Sequence, residues 1–499
     1  MRPGSPTLKE IPWSIVGSNH FGRVPKISDE QTFNMVRADD FMVDYSGYKK
    51  NSDLSLTYKG RAIYTSINAN LLFAVIGNAI YSINSNLFSQ VIGFLNTFNG
   101  DVFITENDTN QIVFCDKKSL YVFNYANDTF IIPTLPQGML PGYVTFQDGY
   151  IIVVDLLSNR WYLSAPGDAT NYFWGSSGQS VFETLSTKSD LCKAAIRFPG
   201  RGNLLLVLGG AVGEYFTDVG SPPLAPYKRN PNININFGTL NQATIAAEDS
   251  IVMWLGSNEN SGAVIMISEG GSVKEIDNDG INYRLSLLKH PEQSSAFFIR
   301  IGNAQRLYYQ ITFYHPDDNS SYLYHIATNE FFTVTDENWN YHITRKVAFF
   351  NNAYYFVSFN DGALYQMSTQ TYVYDYGLFQ DSTPKIYPIP RARICKNVRD
   401  DNGDAFVINS GSFIIEQGED LFYPELSHPD YYPHIDLSIS IDGGQNFSSF
   451  YPLNYKFTGN RINRPLVWGL GYANDFVSQF RFWSYARLAV GNGVLNVYK

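Results

Sequence analysis

The chain has 499 residues, enough for one large β domain or for two to three ordinary domains. Its 36 basic and 46 acidic residues give a net charge of −10, which excludes a generic duplex-DNA binder built on a basic face. An apolar content of 44% excludes global disorder, and three cysteines (Cys115, Cys192 and Cys395) are too few for a disulfide framework and fit a reducing compartment.

Residues 1–55 are polar and turn-rich, with Pro3, Pro6, Pro12 and Pro25, and read as an extended N-terminal arm. Such a segment buries little surface by itself, so it is expected to order against a neighbour, and removing residues 1–28 is expected to leave the rest folded. No apolar signal-peptide core follows Met1. The longest apolar runs, at 71–76 and 204–208, are far shorter than the roughly 20 residues of a membrane helix. A soluble chain without a membrane partner is therefore expected.

From residue 56 the pattern is short β-branched and aromatic runs broken by Gly, Asn or Asp turns. Leu72 to Ile83 reads as strand, Gly77-Asn78 turn, strand, because such hairpin turns need positive φ. The pattern returns at Ile112 to Phe123, Val144 to Val154, and Ala348 to Tyr365. Residues that follow the turns (Tyr81, Tyr121, Tyr162, Tyr215, Met266, Tyr324 and Tyr365) recur every 40 to 58 positions, the span of a four-stranded propeller blade with variable loops. A blade cannot bury both faces alone, so the repeats must pack around an axis. The predicted fold is all-β: a β-propeller of six or seven blades over residues 56–376. A pair of β-sandwiches is the runner-up. Pro384, Pro388 and Pro390 mark a linker over 377–391, and residues 392–499 read as a separate C-terminal β module or as a blade-plus-sandwich extension.

Within that module Ser440-Ile-Asp-Gly-Gly-Gln-Asn-Phe447 fits an Asp-box, Ser-x-Asp-x-Gly-x-x-Trp, with Phe447 in place of Trp. Asp442 is expected to cap a tight hairpin through backbone N–H groups, Gly444 to supply positive φ, and Phe447 to plug the base. Ser440 completes the box, and its role is structural. A metal set from His428, His434 and Asp436 lacks specific spacing. Arg399 to Asp404 has oxygen ligands near a Gly but no EF-hand pattern. Gly209 to Gly213 resembles part of a phosphate loop, yet no Lys-Ser or Lys-Thr follows and Glu214 would repel phosphate. The basic pairs Lys228-Arg229, Arg391/Arg393 and Arg461/Arg464 are too sparse for nucleic acid and are expected on solvated faces or subunit interfaces. No acid–base or nucleophile pair is placed by sequence logic, so no catalytic residue, cofactor or metal is predicted.

In order along the chain, Asp29 to Met35, Tyr45-Ser-Gly-Tyr48, Gly60-Arg61, Gly77 to Tyr81, Phe146 to Tyr150 and Leu163 to Asp168 with Trp174 form a series of small motifs. Gly213-Glu-Tyr215, Gly220, Pro226-Tyr227, Gly238, Trp254-Leu-Gly256, Asp442-Gly-Gly444, Arg464, Trp468-Gly-Leu-Gly471 and Phe480-Arg481 continue it. The series resembles the tail-hub family of short-tailed bacteriophages, also called tail nozzle or packaged-DNA stabilisation proteins. The resemblance implies a non-enzymatic virion protein assembled in the host cytoplasm. It implies a homo-hexameric ring below the portal adaptor, which helps to keep DNA inside and carries a plug, needle, fibre or tailspike. Packaged DNA would pass through an acidic lumen without sequence-specific binding. The competing function is a receptor-binding or glycan-degrading propeller of the sialidase kind, which should show several Asp-boxes; this chain has one.

Overall fold

A computed structural model describes residues 8–21, 29–200, 203–220, 226–233, 235–276, 278–302, 305–378, 385–400, 402–417, 434–453 and 462–498. Seven antiparallel four-stranded blades follow one another around an axis: blades 1 to 4 are separate four-stranded sheets, and blades 5, 6 and 7 belong to sheets of five, ten and six strands. Blade 1 runs from Gly60–Ser66 to Ser89–Phe94, blade 2 from Phe103–Glu106 to Thr129–Ile131, and blade 3 from Pro141–Gln147 to Val181–Thr184. Blade 4 runs from Cys192–Arg197 to Tyr227–Arg229, and blade 5 from Gly238–Thr239 to Val273–Glu275. Blade 6 is Ser294–Ile301 to Glu330–Thr333, and blade 7 takes Thr344–Phe350, Ala353–Ser358 and Gly362–Ser368. All seven spacing markers lie on the third strand of their blades. The longest interval, between Met266 and Tyr324, holds the one α-helix among the described residues, Asp279–Ser286, N-capped by the Asn278 side chain.

Six of the seven interfaces between neighbouring blades are separate apolar layers, as repeat packing requires, and the one between blades 6 and 7 merges with the core of the C-terminal strands. Phe73 meets Phe114 between blades 1 and 2, Trp161 meets Phe216 edge-on between blades 3 and 4, and Leu72 and Ala74 meet Val357 and Leu364 between blades 1 and 7. Tight turns use Gly and also Asn and Asp at positive φ, among them Asn70, Asn110, Asp148, Asn329, Asn351 and Asn352. Their short polar side chains tolerate that conformation, which accounts for the asparagine-rich composition.

Strand pairing joins the segments outside the repeat to the propeller. The fourth strand of blade 7 is Gly47–Ser55, drawn from the N-terminal segment, so the ring closes by joining the two ends of the repeat. Leu8–Trp13 pairs along Leu488–Tyr498, with Ile11 opposite Leu495. Residues 1–55 therefore do not form a free arm in their described part: their strands complete sheets started hundreds of residues away. The 377–391 segment is not a plain linker either, since Ile386–Pro388 pairs with Val373–Asp375 on the edge of blade 7.

The C-terminal region is continuous with the propeller rather than separate from it. Arg391–Ile394 lies between Gln31–Phe33 and Asp475–Trp483, and Phe33 pairs with Thr333 of blade 6. Buried Asn34, at φ 54°, ties the pieces together: its Nδ2 donates to Thr335 Oγ1 (2.7 Å) and to the Pro390 carbonyl (2.9 Å), and its Oδ1 accepts the Thr335 N–H. One apolar core spans both parts, from Tyr365 and Phe356 of blade 7 to Phe480 and Leu495.

At that junction His342 is fully buried, edge-on to the Tyr45 and Tyr48 rings. Burial pushes its pKa down to about 3, whereas an exposed imidazole titrates near 6.5. The unfolded chain thus binds a proton in that window that the folded chain refuses. Stability is expected to fall as pH drops from about 6.5 towards 3. Urea midpoints at pH 7 and pH 5 measure this, and His342→Gln should shrink the difference.

Candidate functional site

Two constellations stand out: the head of the propeller axis and the Asp-box hairpin. The first strand of a blade is the innermost, and it carries a register shift in blade 3, between Pro141 and Val144, and in blades 1, 4 and 7, between Gly60 and Ala62, Cys192 and Ala194, and Thr344 and Lys346. In blades 1, 4 and 7 the residues skipped are Arg61, Lys193 and Arg345. A bulge re-aims one side chain without ending the strand, and here each re-aimed residue is a cation that bridges blades. Arg345 donates to the Gly60 carbonyl (3.0 Å) and to Asp101 Oδ1 (3.0 Å), and Lys117 reaches the other Asp101 oxygen at 3.2 Å. Lys193 Nζ donates to the Thr239 carbonyl at 3.1 Å. Next to Arg345, Lys346 stretches from blade 7 to the Ala243 and Ala296 carbonyls at 2.6 and 2.7 Å.

Arg61 is almost fully buried, and its guanidinium is satisfied by the carbonyls of Gly77, Thr97, Asn99 and Gly100 and by Thr97 Oγ1. Burial and the nearby Arg345 lower its pKa to about 10. Burial would raise the Asp101 pKa, but Lys117 and Arg345 outweigh it and hold the carboxyl at about 2. Burial brings Lys346 down to about 8. The cluster is a set of cross-blade clasps, in which Arg345 Nε is left without a hydrogen-bond partner among the described residues. Sequence reasoning missed it, although a basic residue second in an innermost strand, as in Gly60-Arg61 and Thr344-Arg345, is a readable signal.

The Asp-box forms a local loop. Asp442 Oδ1 accepts the Ser440 hydroxyl (2.6 Å) and the backbone N–H groups of Gln445 (3.2 Å) and Asn446 (3.0 Å), while Ser440 Oγ accepts the Gly444 N–H at 2.9 Å. Gly444 has φ 87°, and Phe447 stays partly exposed beside it. The Ser440 hydroxyl and the Asn446 N–H groups hold the Asp442 pKa at about 2. Every polar atom of the carboxylate contact is spent on the loop itself. Asp442→Ala is expected to lower the melting temperature modestly and to speed hydrogen exchange at the Gln445 and Asn446 amides. An unchanged melting curve with lost binding to a tail partner would assign Asp442 to a ligand instead.

A model of the family described as "Bacteriophage P22 Gp10, beta-propeller" matches residues 29–372. The chain belongs to that family of phage packaged-DNA stabilisation propellers. It is thereby a phage structural protein and a virion component. Among curated proteins none matches it. Of solved structures, catalytically inactive virginiamycin B lyase from Staphylococcus aureus with quinupristin is similar at 12% identity and a TM-score of 0.43, covering 65% of this chain and 99% of that one. A streptogramin B lyase is similar at 13% and 0.42, covering 65% and 97%. The computationally designed Ika8 protein is similar at 10% and 0.37, covering 71% and 99%. Likenesses at this level carry no argument about activity.

The other sequence candidates in this P22 Gp10-family chain fall into place. Arg391 and Arg393 are not on solvated faces but buried. Arg391 pairs with Asp44 and donates to the Ser484 carbonyl (2.7 Å), and Arg393 pairs with Glu30 (2.7 Å) and donates to the Ile15 carbonyl (2.7 Å). They lock the N-terminal segment to the C-terminal sheet. Glu214 does not face a phosphate: it accepts the Ser186 and Thr187 N–H groups (2.9 and 2.5 Å). The amides of Ala211 and Val212 in the glycine loop are capped by Asp190. His428 and Arg461 lie outside the described residues, and Arg464 is exposed. His434 Nε2 is 3.8 Å from Asp436 Oδ2, which also accepts the Trp483 indole N–H at 2.9 Å. Arg399 pairs with Asp475, and Asp400 folds the loop back by accepting the Gly403 N–H.

Proposed function

We propose that the chain is the tail hub, or nozzle, of a short-tailed phage. Six copies form a ring below the portal and its adaptor, narrow the DNA exit, help to retain the packaged genome, and hold a plug or needle and fibres or tailspikes. The family match over residues 29–372 carries the reading. The fold is compatible with the ring: Lys346 and Arg345 tie blade 7 to the blades beside it, so each subunit is a closed building block. The net charge of −10 suits a lumen that repels phosphates and lets the genome slide. The protein acts without catalysis, and assembly takes place in the host cytoplasm.

A ring requires two different patches per subunit. The outer face of the C-terminal sheet offers one: Leu466, Trp468 and Tyr472 are all more than half exposed, with Val407 paired to Tyr472. Trp468→Glu is expected to leave the isolated chain as stable, within roughly 0.5 kcal/mol, as an ordinary surface change, and to block incorporation into tails. Electron cryo-microscopy of virions tests the reading. Six copies below the portal are expected; two or three copies would reject the hexamer. Turnover of peptidoglycan or a sialoside by the purified chain, abolished by one carboxylate substitution, would refute the non-enzymatic role.

A further inference from the structure

We propose that His290, His315 and Asp317 form a binding site for a late first-row divalent cation, with zinc the best fit, on the loop face of blade 6. One ring nitrogen from each histidine and one Asp317 oxygen lie within 4.8 Å of one another. Two imidazoles and a carboxylate are a donor set that such ions favour over calcium or magnesium. The sequence conceals the set, because His290 lies in the loop before Ser294–Ile301 and His315 in the turn after Arg306–Phe313.

The site is held in place by its surroundings. The Asp318 carboxylate accepts the backbone N–H groups of Lys289 (2.8 Å) and His290 (2.6 Å), tying the first loop to the second. The Gln293 carbonyl accepts the Tyr314 N–H, and the His315 carbonyl accepts those of Asp318 and Asn319. The two imidazoles consequently sit with centroids 3.8 Å apart, tilted by 44°. His290 Nδ1 faces Glu292 Oε1 at 3.3 Å. An N–H donated there leaves the Nε2 lone pair for a metal, the outer-shell arrangement that orients histidine ligands. Ligands at about 2.0–2.2 Å from zinc need the three side chains to draw together slightly, which their partly exposed positions allow. Two contacts must yield. Lys289 Nζ, 3.3 Å from Asp317 Oδ2, swings into solvent, and His315 gives up the long 3.2 Å bond that its Nδ1 accepts from the Asp317 N–H when its proton moves to that nitrogen. Three protein ligands leave one position open for water or for a donor from another chain.

The test is isothermal titration of the full chain, stripped of metal by a chelator, with zinc chloride, and in parallel the visible spectrum of added cobalt(II). One zinc per chain and a tetrahedral cobalt spectrum are expected. His290→Ala and His315→Ala should each weaken binding more than Glu292→Gln, for which about tenfold is typical of an outer-shell loss. Lys289→Gln should tighten it, and His434→Ala should leave it unchanged. No zinc uptake, uptake that persists in the His290→Ala/His315→Ala double variant, or uptake lost with His434→Ala would overturn the site. Should His315→Ala fail to fold, His290→Ala and Lys289→Gln move affinity in opposite directions and decide the matter. None of these readouts depends on ring assembly.

Discussion

Trp13→Ala should destabilise the chain by about 3–5 kcal/mol, the usual cost of emptying an aromatic site in a core. Trp13 is fully buried although it ends the first described strand. Its indole lies 5.3 Å from the Phe480 ring and edge-on to Phe413 at 5.8 Å, and its Nε1 donates to Ser478 Oγ at 2.9 Å. Opposite it stands Gly411, where a Cβ would come within 2.5 Å of the indole, so the backbone there is spaced for this ring. Alanine would leave a cavity between two sheets and remove the partner of a buried hydroxyl. The same geometry reverses the expectation that residues 1–28 are dispensable for folding. Their removal takes a strand off Leu488–Tyr498, uncovers Phe413 and Phe480, and deprives Arg393 of the Ile15 and Ser18 carbonyls. Calorimetry should show the loss in both variants. A melting curve unchanged by the deletion would mean that this strand only decorates the sheet.

The propeller was legible because its signals are local. Each hairpin carries its own turn residues, and a blade of about 40 residues imprints its period on the chain whatever the loops do. Tyr81, Tyr121 and Tyr365 could be aligned without knowing what they touch. The Asp-box was legible for the same reason: Ser440, Asp442 and Gly444 bond within a few residues of one another. What stayed hidden depends on partners distant in sequence. Leu-Lys-Glu-Ile-Pro-Trp shows no clear alternation, and its pairing partners lie 480 to 490 positions away. Gly47–Ser55 is polar enough to read as an arm, yet it is the strand that closes the ring. Arg391 and Arg393 stand two apart, as residues on one face of a strand do, but only the carboxylates of Asp44 and Glu30 make their burial tolerable. The axial clasps were hidden by bulges, since a period-2 reading assigns Arg61 and Arg345 to the wrong face.

Those clasps give the second large effect. Asp101→Asn is expected to cost about 3 kcal/mol, the lower end of what breaking a buried ion pair costs, because Lys117 keeps some contact with water. The variant is nearly the same size, so packing is little disturbed. The cost arises from Arg345, almost buried and left facing a neutral amide at the seam between the first and last blades. The pH dependence distinguishes this from a general loss of packing. In the folded chain the Asp101 carboxyl titrates at about 2, below its ordinary 3.8. A depressed carboxyl contributes stability that is fully present above the unfolded value and is lost as pH falls through the folded one. The native chain should therefore lose the Asp101 contribution between about pH 4 and 2, whereas the Asn variant has nothing to lose there. Guanidinium unfolding at pH 7 and at successive steps below pH 4 should show two curves that converge on acidification. Curves that stay parallel would mean that Asp101 contributes shape to the axis but not charge. Loss of the seam should also appear as faster hydrogen exchange along Gly60–Ser66 and Thr344–Phe350, the two strands Arg345 joins, with blades 3 and 4 unaffected.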